Sequence, residues 1–159
     1  MKQISNTAKI ILNESVKKVF PLFSPLEEKK WENGWNPDFL YPSNGEFVEN
    51  LVFKTKASDK TEKAFYWTIS YLNRQDHLVI YTVFTENRVW IIKVQCVDIG
   101  KNKTEAEIKY TFTSLNEKGI AMNREALEKM YKNELKDWEA AINHFLTTGK
   151  SFNHEHHSQ

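Results

Sequence analysis

Hydrophobic and polar positions alternate with a period of two through the middle of the chain. They recur every three and four residues through its last third. The period of two is cleanest over Thr104–Leu115. Ala106, Ile108, Tyr110 and Phe112 lie on one side there, and Glu105, Glu107, Lys109, Thr111 and Thr113 on the other. Such a strand turns one face to a core and one to water. Over Val89–Asp98, Trp90, Ile92, Val94 and Cys96 share a face, with Arg88, Lys93 and Gln95 assigned elsewhere. The pattern predicts further strands at Glu46–Asn50, Leu51–Ala57, Glu62–Leu72 and His77–Thr85. The breaks at 58–60, 73–76, 86–88 and 100–103 are polar and turn-rich. Connections this short predict antiparallel neighbours. Residues 62–72 and 77–85 are apolar on both parities. Phe65, Trp67, Ile69 and Tyr71 share one side, so either face can point inward, and a bulge would change the answer.

The first 45 residues read differently. Thr7–Asn13 is a short strand anchored by Ile10, Ile11 and Leu12. Ser15 is placed to cap a helix from Val16 whose apolar positions are Val16, Val19, Phe20 and Phe23. Pro21 lies too far in for a first-turn proline and should kink or end it. Ser24-Pro25-Leu26-Glu27 is a stronger start signal: a cap, a proline at the first helical position, and a glutamate completing a capping box. That second helix should run to Glu32 and stop at Asn33-Gly34. All four prolines fall between Pro21 and Pro42, so Trp31–Asn44 reads as an irregular, aromatic-rich loop. From Asn123 to Thr148 the apolar residues Leu127, Met130, Tyr131, Leu135, Trp138, Ile142, Phe145 and Leu146 mark one long amphipathic helix. Gly149 is a ready stop.

Composition narrows the classes. At 159 residues one domain over 1–150 is expected, followed by a polar tail, 151–159, expected to be disordered. Lys plus Arg number 22 against 21 Asp plus Glu. That balance gives no electrostatic footprint for nucleic acid and none for an anionic membrane. A single cysteine, Cys96, excludes a disulfide framework, and its apolar parity argues for a small buried hydrophobe rather than a nucleophile. No secretory leader and no run of about 18 apolar residues is present, so a soluble, cytoplasmic protein without integral membrane association is expected. The five glycines are scattered singly and form no phosphate loop. His77 and His144 stand apart, and His154-Glu155-His156-His157 in the tail is read as solvated. No metal and no cofactor is expected. The informative figure is 13% aromatic residues, enough either to pack a tight core or to line a cavity.

The order of strand, two short helices, long antiparallel meander and long final helix resembles the START-like, or SRPBCC, superfamily. The resemblance covers about Thr7 to Gly149. It rests on Phe23-Ser24-Pro25 with Glu27 and Trp31, on Gly34-Trp35-Asn36-Pro37 and Tyr41-Pro42, on Phe53-Lys54-Thr55, on Lys109-Tyr110-Thr111-Phe112-Thr113-Ser114-Leu115, and on Asp137-Trp138 with Gly149. It implies an α+β helix-grip fold: a curved antiparallel sheet wrapped around one long C-terminal helix, with two short helices after the first strand and a cavity between sheet and helix. Carried onto this chain, the cavity is expected to be lined by Trp90, Ile92, Tyr110 and Phe112 from strands and by Tyr131, Leu135 and Trp138 from the helix. Trp31, Trp35 and Phe53 fall near the mouth, and Trp67 and Tyr81 complete the expected ligand-binding set. Tyr81 and Tyr110 are the best polar handles, since a buried tyrosine hydroxyl needs a partner. Glu32, Asp38 and Glu49 are candidates for the mouth, with nothing pairing them into an acid/base couple.

Three functions compete on this scaffold, which alone decides none of them. The leading one is binding of a hydrophobic small molecule of drug or lipid size, whether lipid, polyketide-like or aromatic. The second is a cyclase or dehydratase on the same cavity, using tyrosine hydroxyls as acids. The third is an interaction module, like the superfamily's chaperone activators, using the outer sheet face for a partner or a homodimer.

Overall fold

The structure, a computed structural model, describes residues 2–57 and 62–151. Seven strands form a single sheet: β1 (Gln3–Leu12), β2 (Asp38–Tyr41), β3 (Val52–Lys56), β4 (Ala64–Asn73), β5 (Leu78–Phe84), β6 (Arg88–Gly100) and β7 (Lys103–Ser114). Their order is β1-β7-β6-β5-β4-β3-β2, and every neighbouring pair is antiparallel. The short connections dictate the β3–β7 meander, and β1 closes the far edge by pairing along all of its length with β7.

The alternating pattern does what it predicts. Ala106, Ile108, Tyr110 and Phe112 of β7 are buried, as are Trp90, Ile92, Val94 and Cys96 of β6. Arg88 departs from the expectation: it shares the inward face of Trp90 and is buried. Its charge is met there by Glu62, Nη2 to Oε1 at 2.9 Å. In β4 the register shifts between Ile69 and Tyr71. Phe65, Trp67 and Ile69 turn inward, whereas beyond the shift Tyr71 is exposed and Leu72 packs against the core. The bulge thus spends the apolar residues of both parities on one interior.

After β1, α1 (Val16–Val19) gives way at Pro21 to a tighter turn over Phe20–Phe23. α2 (Pro25–Glu28) follows, shorter than the eight residues expected, capped by Ser24 Oγ accepting from the Glu27 N–H at 3.4 Å. Glu27 pairs with Lys30 instead of closing the capping box. Two expectations reverse between 31 and 51. The expected loop contains β2, a four-residue edge strand flanked by Pro37 and Pro42, a position where proline costs no ladder bond. The expected strand Glu46–Asn50 is a loop: Asn44 Oδ1 accepts from the Glu46 N–H, and Asn50 adopts φ +70.

The long helix starts at Glu117, six residues before Asn123. It comprises α3 (Glu117–Lys129), one π-helical turn (Met130–Glu134) and α4 (Leu135–Thr148). Asn116 caps it by accepting from the Gly119 N–H, and Gly149, at φ +73, ends it. Gly119 is where the helix crosses the β5–β6 turn: a Cβ there would lie 2.1 Å from the Asn87 carbonyl oxygen. The expected turn at 58–60 and the tail from 152 onward lie outside the described residues.

Candidate functional site

The site lies where the α1–α2 segment, the middle of the sheet and α4 meet. Ser24 and Pro25 fix the start of α2, which places Glu28 one turn on, facing inward beside Phe23 and Pro25. Successive inward positions of β3, β4, β5, β6 and β7 supply Phe53, Trp67, Tyr81, Ile92 with Val94, and Tyr110. Trp138 of α4 and Trp35 complete the wall.

The rings hold one another. Trp67 stacks on Phe53 with centroids 5.3 Å apart and meets Trp35 and Tyr81 edge-on at 5.6 and 6.0 Å. Trp138 meets Trp31 at 6.0 Å and Phe23 at 6.4 Å. Their polar edges are mostly committed. Trp35 Nε1 donates to the Pro25 carbonyl, Trp67 Nε1 to Thr55 Oγ1, and the Tyr81 hydroxyl to the Phe23 carbonyl. What remains is a cavity of about 40 Å³, room for roughly three water molecules. The drug- or lipid-sized space expected from the sequence is filled by these aromatic side chains, since pockets for such ligands enclose roughly 300–1,000 Å³.

Seven of the twelve residues singled out in the sequence meet at this cavity: Trp35, Phe53, Trp67, Tyr81, Ile92, Tyr110 and Trp138. The other five lie elsewhere. Trp31 is wholly buried behind Trp138, its Nε1 donating to the Leu22 carbonyl at 2.7 Å. Trp90 and Phe112 stack on each other in a second cluster, where Trp90 also packs against Phe65 and under the Arg88 guanidinium. Leu135 is in the core, and Tyr131, half-buried, has its hydroxyl enclosed without a hydrogen-bond partner among the described residues.

The carboxyl in the cavity is one that the sequence reading passed over. Glu28 follows Pro25 by three and precedes Trp31 by three, which puts it on the inward side of its turn. Burial pushes its carboxyl well above the usual carboxylate range, and the Glu32 charge adds to the push. Glu32 is raised to about 7 by burial and by the charges of Glu134 and Asp137. Glu134 is raised by burial and by Asp137, against the opposing pull of Lys129. The π-helical turn carries Glu134, and the Leu135 N–H closes it on the Met130 carbonyl. Burial also raises the Tyr81 and Tyr110 hydroxyls. The other two candidate acids are engaged outside: Asp38 faces Lys54, and Glu49 Oε2 accepts from the Leu72 N–H.

Comparison with solved structures decides the architecture. A norcoclaurine synthase point mutant from Thalictrum flavum, in complex with a transition-state analogue, superposes with TM-score 0.70 at 7% identity, covering 93% of this chain and 96% of that one. The ZhuI aromatase/cyclase from Streptomyces sp. R1128 gives 0.68 at 8% identity over 95% and 100%. Ara h 8.0201 gives 0.66 at 12% identity over 92% and 99%. The chain shares the helix-grip fold of these three proteins. No family model and no curated protein sequence matches it. In this helix-grip domain the site occupies the space between sheet and long helix. Among the described residues, no helix is long and apolar enough to cross a membrane.

Proposed function

We propose that this helix-grip domain binds a small, flat, largely apolar molecule in the cavity between β3–β7 and α4. The observation that carries the reading is convergence. Rings from Trp35, Phe53, Trp67 and Trp138 wall a space that Glu28, Tyr81 and Tyr110 also line. Ligand sites are typically apolar walls with a few placed polar groups. A ligand larger than a few atoms enters by moving Trp35, whose ring is half-buried and stands after Gly34, at φ +90. Two of the three similar structures are named as enzymes, a synthase and an aromatase/cyclase. Proton transfer between Glu28 and a bound ligand is therefore the second reading, favoured by the unpaired Glu28 carboxyl.

Thermal melts with increasing benzyl alcohol test the binding. Saturable stabilisation is expected, since a ligand of the native state alone raises the melting temperature by mass action. Val94→Phe, which fills the space, should abolish the ligand dependence. No saturable stabilisation of the wild type would overturn the reading.

A further inference from the structure

Carboxyls gather at the cavity and beside it. Glu28 and Glu32 stand one turn apart at its α2 side, and Glu134 and Asp137 face them from the long helix. Lys129 pulls Glu134 the other way. Among the described residues the Glu28 carboxyl makes no hydrogen bond and no ion pair. Tyr110, only 7% exposed, lines the same space and lies within electrostatic reach of Glu134, Glu28 and Glu32. Its hydroxyl, too, has no hydrogen-bond partner among the described residues. The other hydroxyl of the cavity, on Tyr81, is already spent on the Phe23 carbonyl.

Burying a carboxyl without a partner is costly, and proteins remove the cost by pairing or by protonation. This chain pairs its fully buried carboxylate thoroughly: Glu62 has Arg88, Thr85 and Asn87 around it, whereas Glu28 is half-buried. At Glu28 the protein supplies no such partner. Among the described residues no three His, Cys, Asp or Glu side chains gather here to hold a metal ion. A positively charged group on an apolar body does fit. Ring faces attract a cation, tryptophan most strongly, and Trp35, Trp67 and Trp138 are all here.

Resting on the small-molecule reading above, we propose that the ligand is a protonated primary amine carried on an aromatic ring. Its ammonium sits between the Glu28 carboxylate and the Tyr110 hydroxyl, its ring among the tryptophans. The ammonium donates to both oxygens, and the carboxylate set around the mouth favours its entry. The raised acids give the proposal a signature. Burial and the Glu32 charge hold the Glu28 carboxyl well above the usual carboxylate range, and Glu32 is raised to about 7. An incoming cation restores their charge and drives protons out, so amine affinity rises with pH through this range. Glu134, Asp137, Lys129 and the two tyrosines are the other titrating groups that face them.

The test uses the intact chain and three probes of one size: benzylamine, benzyl alcohol and benzoate. By titration calorimetry benzylamine should bind at least tenfold more tightly than benzyl alcohol, and benzoate most weakly. Amine binding should release protons, read from its heat in two buffers of different ionisation enthalpy at pH 7. Glu28→Gln should bring the amine-to-alcohol ratio to within threefold. Alcohol binding as tight as amine, or tighter benzoate, would overturn the amine proposal and leave the cavity reading standing. Failure of all three probes would overturn both. The wild-type series decides the matter even where Glu28→Gln does not fold.

Discussion

The Tyr81 hydroxyl, on β5, donates to the Phe23 carbonyl at 2.6 Å, on the turn between α1 and α2. This single bond ties the middle of the sheet to the segment that brings Phe23, Pro25 and Glu28 to the cavity. Tyr81→Phe leaves a buried carbonyl unpaired, at a cost of about 1–2 kcal/mol. For a domain of this size the melting temperature should fall by roughly 3–6 °C. Thermal denaturation of the variant checks this, and an unchanged melting temperature would mean that the bond is idle.

Acidification should stabilise the protein before it destabilises it. Glu28, Glu32 and Glu134 have folded-state values above their unfolded ones. Between the two the native state binds more protons, so stability falls as pH rises above about 4.3, for Glu32 through about 7. Glu62 has the opposite sign: Arg88, Thr85 and Asn87 hold it low, against the cost of its burial. Its contribution is present above the unfolded carboxylate value of roughly 4.3 and disappears as pH drops through its own lower value. Melting temperatures should therefore peak on the acid side of neutral and drop below pH 4. Glu28→Gln should flatten the decline toward pH 8. A maximum at or above pH 8 in the wild type would contradict the reading.

Arg88 and Glu62 should be worth far more broken than replaced. Arg88→Met strands a carboxylate that is 0% exposed, for about 3–5 kcal/mol. The double variant Arg88→Met, Glu62→Leu should recover most of that loss, because two apolar side chains need no partner. Chemical denaturation of the three proteins gives the comparison.

Gly119→Ala probes the crossing of the long helix over the β5–β6 turn. The added methyl would sit 2.1 Å from a backbone oxygen that has little freedom to move. A loss of about 3 kcal/mol or more is expected from the forced displacement, although alanine is the better helix former. Stability unchanged or increased would show that the helix does not approach this closely.

Cys96 should resist thiol reagents while the protein is folded. Burial pushes its thiol up to about 12, so almost no thiolate exists at neutral pH. Modification should occur at the rate of unfolding, and stoichiometric labelling within seconds under native conditions would contradict its placement.

Most of the fold was legible because the signal repeats. Ala106 to Phe112 and Leu127 to Phe145 state their periods several times over, and one misread position changes nothing. Single-turn features were not legible. β2 has four residues between two prolines, and only pairing with β3 makes it a strand. The 46–50 segment has strand-like composition, yet Phe47 is drawn off to pack on Phe20 and Arg74. Arg88 was set apart from the Trp90 face, although its parity with Trp90 placed it inward. Glu28 was the costliest omission. Its spacing from Pro25 and Trp31 indicated the inward side, but a glutamate on a short helix ordinarily faces water. The cavity's size was beyond sequence reasoning altogether, since it depends on how Phe23, Trp31 and Trp138 share one volume.

The five tryptophans provide the most direct test of the central claim, for each indole N–H gives its own signal in a proton–nitrogen correlation spectrum. Trp35, Trp67 and Trp138 line the cavity, whereas Trp90 lies in the separate cluster with Phe112. Titration with benzyl alcohol should shift the first three signals saturably and leave that of Trp90 in place. Shifts at Trp90 alone, or no saturable shift at Trp35, Trp67 and Trp138, would contradict the assignment of this cavity as the binding site.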